Sequence, residues 1–132
     1  MNQLTSFPGL LVPEETAEKI LSDLKQHYRI NTEDRPPHIP TWCVFPEGKS
    51  VEFSILETPI FLSKMAVYLY NENSNKLYLS TPQAVKNYFQ QRNPWETDWD
   101  LYIFEQNLKW CIAITHELLN GSEAILAGEL VG

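Results

Sequence analysis

The sequence predicts an α+β fold: a mostly antiparallel β-sheet with two helices packed on it, closed by a C-terminal three-stranded meander. Three observations predict it. Two stretches carry apolar residues at helical spacing. Most of the other apolar stretches are short runs that read as strands with alternating faces. The alternating runs are joined by short polar turns, the last of them holding Asn120-Gly121, the strongest short hairpin signal. The 132 residues make one ordinary domain, 1–132.

The first helix is expected over about 13–28. In "PEETAEKILSDLKQHY" Pro13 suits a first turn, where its missing N–H is not needed. Glu14 and Glu15 favour the positive end of the helix dipole. Ala17, Ile20, Leu21, Leu24 and Tyr28 share one face, while Lys19, Asp23, Gln26 and His27 meet solvent. Three prolines between Asn31 and Pro40 make a loop. "TWCVFP" follows as a short strand. "SVEFSIL" alternates Val51, Phe53 and Ile55 with Glu52 and Ser54 and reads as a half-buried strand. Residues 58–66 fit either a short helix capped by Thr58 or a connection.

"VYLYNENSNKLYLS" reads as a hairpin turning at Asn71 to Asn75. "TPQAVKNYFQQRN" has Thr81 as N-cap and Pro82 at the first helical position. Ala84, Val85, Tyr88 and Phe89 form its apolar face, so a second helix runs over about 82–92 and stops at Asn93-Pro94. Then come three strands: "DLYIFE", "LKWCIAITHE" and "AILAGEL". The middle one is apolar on both sides, Trp110, Ile112 and Ile114 alternating with Cys111, Ala113 and Thr115, as a central strand covered on both faces would be.

Composition narrows the function classes. At 43% hydrophobic and 12% aromatic the chain can bury a core and is neither disordered nor a disulfide miniprotein. No apolar run reaches the roughly 18 residues of a membrane helix. "MNQLTSFPGLLVPEET" lacks a basic n-region, which predicts no signal peptide and a cytoplasmic protein. Cys43 and Cys111 sit in apolar surroundings and read as buried thiols. The charge is −7, and it is uneven. Residues 1–92 hold 10 acids and 9 bases, whereas residues 93–132 hold seven acids and one base, Lys109. Such a surface repels phosphate backbones, which argues against direct nucleic-acid binding, and attracts a basic partner.

Catalytic signatures are sparse. "THELLN" looks like a zincin motif, but Asn120 stands where H-E-x-x-H has its second histidine. On a strand His116 and Glu117 point to opposite faces and cannot share a site. There is no G-x-S-x-G elbow, no phosphate-binding glycine loop and no closely spaced Cys/His pair for a metal. The expectation is no enzyme, no catalytic residue, no metal and no cofactor. In "NPWETDWDLYIFE", Trp95 and Trp99 lie among Glu96, Asp98 and Asp100. Tryptophan that packs beside acids that steer has the composition of a protein-binding hot spot.

With these features the chain resembles the immunity proteins of bacterial toxin systems, including contact-dependent growth inhibition. The resemblance is one of size, charge and organisation. "DWDLYIFEQNLKWCIAITHE" is also similar to the tryptophan-rich C-terminal hairpin of several small bacterial families. The resemblance implies a protein–protein function: tight binding of a basic toxin domain, in many cases a nuclease, whose activity is blocked. Acidic side chains would take the place of phosphates in its cleft, with Trp95 and Trp99 as anchors. Glu96, Asp98, Asp100, Glu105 and Glu117 would share that surface. Two other readings stay open. One is a small enzyme or ligand-binding domain using His116 or the Asp98/Asp100 pair, which a strand would put on one face. The other is a homodimeric adaptor whose aromatic sheet face pairs with itself.

Overall fold

The computed structural model describes residues 8–28, 49–72, 74–91, 101–114 and 123–130. These form an α+β domain around a fully antiparallel sheet. In chain order the elements are β1 (Leu10–Leu11), α1 (Glu14–His27), β2 (Lys49–Glu52), a 3-10 segment (Phe53–Glu57), α2 (Pro59–Leu62), β3 (Val67–Asn71), β4 (Lys76–Ser80), α3 (Pro82–Gln91), β5 (Leu101–Phe104), β6 (Trp110–Ile114) and β7 (Glu123–Gly128). Among the described residues the sheet has seven strands in the order β1-β4-β3-β5-β6-β7-β2. The C-terminal meander is present as β5-β6-β7, consecutive in the sheet. The expected strand "TWCVFP" and the Asn120-Gly121 turn lie outside the described residues.

The period-two alternation sorts side chains onto two cores. On one face Tyr70, Leu77, Tyr102, Phe104, Cys111, Ala113, Ile125 and Ala127 pack under α1, which contributes Ala17, Leu21, Leu24 and Tyr28. On the other, Leu69, Leu101, Ile103, Trp110, Ile112, Ile114, Ala124 and Leu126 pack under α2 and α3, through Phe61, Val85, Tyr88 and Phe89. Every residue of β5 and β6 is buried. The helices therefore cover both faces of the sheet, which is why β6 is apolar on both sides.

Local chemistry fixes the elements. Pro13 is the N-cap of α1, with Glu14 and Glu15 in the first turn. Thr81 caps α3 by accepting the Ala84 N–H at 3.2 Å. The β3–β4 turn is held by Asn71, whose side chain accepts the Ser74 N–H at 3.3 Å, and by Asn75, which sits at φ 56° and accepts the Tyr70 hydroxyl at 2.8 Å.

One expected strand is shorter than its pattern. "SVEFSIL" is extended only to Glu52, and Phe53–Glu57 forms a 3-10 turn instead. β2 is paired with β7 at the sheet's end in the strand order, and the chain must leave it to reach β3 across the second core. Leu56 is buried in that core and Ile55 packs against it. Thr58 sets the change of direction: its hydroxyl donates to the Ile55 carbonyl at 2.8 Å and accepts the Phe61 N–H at 3.3 Å. Residues 58–66 thus contain the short helix, α2, as a third helix of four residues.

The far end of α1 is locked to the sheet. Tyr28 donates its hydroxyl to the Leu108 carbonyl at 2.5 Å, spanning 80 residues. Gly128 makes this approach possible. It sits at φ +77°, and a Cβ there would run into the Lys109 carbonyl and crowd the Tyr28 hydroxyl.

Candidate functional site

Of the residues expected to bind a partner, Glu105 is described. Trp95, Glu96, Asp98, Trp99, Asp100 and Glu117 lie outside the described residues, as do His116, His38 and Cys43. Their flanks are informative. Leu101 follows "PWETDWD" directly, and Ile114 precedes "THELLN" directly. The two are Cα partners across β5 and β6. Asn71 pairs with Leu101, and Lys76 with Asn71. Lys76, Asn71, Leu101 and Ile114 therefore form one row across four strands, at one end of the sheet.

Glu105 is at the opposite end of β5, beyond Phe104. Its carboxylate accepts the indole N–H of buried Trp110 at 2.6 Å, and Lys64, just after α2, lies 3.8 Å from the same oxygen. Trp110 packs edge-on against Phe61 of α2, with ring centroids 5.9 Å apart. The acid thus satisfies a buried donor and ties the β5–β6 turn to α2. A carboxylate held this way is less available to a partner than one open to solvent.

Two titratable groups meet beneath α1. Burial pushes the Cys111 thiol well above its ordinary value of 9.0, and burial, with Cys111 nearby, pushes the Tyr28 phenol above 10.0. Both are neutral at physiological pH, so Cys111 is an inert core thiol. The sign of the linkage follows. Above about pH 9 the unfolded chain releases the cysteine proton while the folded chain keeps it, so folding stability falls as pH rises. The expected result is an unfolding free energy, from urea titrations, that declines from pH 9 to 11, by at most about 1.4 kcal/mol per pH unit for each such group. Cys111→Ala should flatten the part that begins near pH 9. Equal slopes in both proteins would mean that the thiol is not protected by burial.

A feature the sequence reading missed is a cavity of about 360 Å³ between the first half of α1 and the β3–β4 turn. Ala17, Leu21 and Leu77 supply its apolar side. Glu14 and Glu18 border it from α1, and Lys76 from β4. The available signal was the placement of Glu14 and Glu18 one turn apart, interleaved with Ala17 and Leu21 of the buried stripe.

Among the described residues no group of three or more His, Cys, Asp or Glu side chains is placed to hold a metal ion. His27 is exposed in the last turn of α1, its ring edge-on to Tyr28 at 4.6 Å. No helix among the described residues is long and apolar enough to cross a membrane. No protein-family model matches this chain, and no curated protein or solved structure matches it either.

Proposed function

We propose that this chain is a toxin-neutralising immunity protein of the contact-dependent growth inhibition type, cytoplasmic and without catalytic activity. It binds a basic toxin domain, a nuclease, through an acidic surface carrying Trp95 and Trp99, and so blocks the toxin's active cleft. The observation that supports this most is the pairing of Leu101 with Ile114. These residues adjoin the two acidic stretches, which hold Glu96, Asp98, Asp100 and Glu117. Two separate segments of like charge thus start from neighbouring strand ends. A basic partner would be attracted by both. The segment 93–132 carries a net charge of −6 against −1 for the rest of the chain.

The other readings have less support. The homodimer needs an open aromatic face, yet Tyr70, Tyr102 and Phe104 are buried in the core that α1 completes. The test is binding of the toxin domain encoded beside this chain. The expected complex is tight, and its association rate falls steeply with added salt. A neighbouring domain that ignores this chain, or a complex whose association is indifferent to salt, would count against the proposal.

A further inference from the structure

We propose that the cavity between α1 and the β3–β4 turn receives an aliphatic cation: the side chain of a lysine or arginine presented by the protein partner. That the cation comes from a protein rests on the function proposed above; the cavity's preference for such a group does not.

Lysine and arginine side chains combine an apolar stem with a charged head. The cavity has matching parts. Ala17, Leu21 and Leu77 are buried residues of the first core and offer a stem an apolar wall. Glu14 and Glu18 are exposed, so a cationic head can reach both carboxylates. Together with Glu15 they outweigh the roughly half positive charge at the start of a helix. What separates this place from an ordinary acidic helix face is the apolar wall and the volume, about 360 Å³. Binding cavities begin at roughly 300 Å³. The opposing group is Lys76, which also lines the cavity and disfavours a cation. Its position carries a second implication. Lys76 begins the row that continues through Asn71 to Leu101 and Ile114. The cavity therefore lies at the end of the sheet where Leu101 and Ile114 adjoin the acidic stretches in sequence, about 15 Å from Ile114 at three strand spacings. A partner's contact surface of roughly 800 Å² is wide enough to span that distance.

The experiment is a titration of the ¹⁵N-labelled full chain with three probes of equal length: n-pentylammonium, 1-pentanol and pentanoate. Pentylammonium should shift the amides of Ala17, Leu21 and Leu77 with a millimolar dissociation constant, as expected for so small a ligand. Pentanol should bind more weakly and pentanoate weakest. E14Q/E18Q exchanges two exposed groups and leaves the fold intact; it should weaken pentylammonium about threefold to tenfold. K76Q should tighten it. Equal binding of pentanol and pentylammonium would reduce the cavity to an apolar groove and overturn the proposal, as would no shift with any probe. If E14Q/E18Q weakens pentylammonium but leaves toxin binding unchanged, the assignment to a partner's side chain is wrong. A chain that takes pentylammonium but binds no toxin would refute the immunity function and leave the cavity's preference standing.

Discussion

Replacing Trp110 by alanine should lower the unfolding free energy by about 4 kcal/mol, the range for deleting a buried aromatic ring. Trp110 is among the largest fully buried side chains and sits where the second core, the β5–β6 turn and α2 converge. Its removal has three consequences of the same sign. It opens a void beside Phe61, against which its ring packs edge-on. It takes away the donor at 2.6 Å from Glu105 and leaves a carboxylate, only 19% exposed, with a single cation 3.8 Å away. It also loosens the turn that carries Leu108, the acceptor of the Tyr28 hydroxyl. Trp110→Phe separates these effects. Phenylalanine keeps most of the ring but donates nothing, so its cost should be about 1–3 kcal/mol, the range for stranding a partner of a charged hydrogen bond. Urea midpoints of both variants measure this. A phenylalanine variant as stable as the parent would mean that the indole–carboxylate bond carries no net stability.

The second large effect belongs to the acids before β5. Reversing Asp98 and Asp100 together to lysine moves the net charge from −7 to −3 and places two cations where the proposed interface has its densest negative charge. Electrostatic steering raises association rates by about 10- to 1,000-fold. The double reversal should therefore slow association with the toxin domain by roughly 10- to 100-fold at low salt. The gap should close as the Debye length shrinks towards 3 Å near 1 M salt. Stopped-flow association rates across a salt series test this. An unchanged rate would place the contact elsewhere on the protein. Glu105→Gln is the natural control: this carboxylate already accepts the Trp110 indole N–H and faces Lys64, so its main effect should fall on stability.

Much of the fold was legible in the sequence because its signals are local. The stripe Ala17, Ile20, Leu21, Leu24, Tyr28 needs only a period of 3.6; Ile20 is half-buried and the other four are buried. The hairpin β3–β4 turns within the asparagine-rich stretch Asn71 to Asn75 that the sequence marks. The alternation of β6 gave its central place. What was not legible is set by distant parts of the chain. Val51, Phe53 and Ile55 alternate like a strand, but Leu56 and Ile55 are drawn into the second core and the chain curls after Glu52. A period-two run of three residues is too short to resist that pull. Which helix covers which face is equally invisible, since one strand's alternation states that two faces are apolar and not what lies on each. Glu105 reads as one more acid in an acidic stretch. Only the tertiary fold brings Lys64 to it and aims the Trp110 indole at it. The cavity beside α1 likewise exists only because the β3–β4 turn, some sixty residues later, stands against the helix.

The strand order also sets how the molecule breathes. The strands β3 to β7 come from one continuous stretch of chain, 67–128, and occupy five adjacent places in the sheet; β1 and β2 flank them on either side. The amides of Ile103 and Ile112 face one another at the centre of this array, buried beneath helices on both sides. They can trade their protons with solvent only when the whole domain opens. Leu10 and Leu11, 75% and 57% exposed in a strand of two residues, open by local fraying. A deuterium-exchange profile of this protein therefore rises from its middle strands outwards, and the N-terminal strand can detach and reattach many times within the lifetime of the folded core.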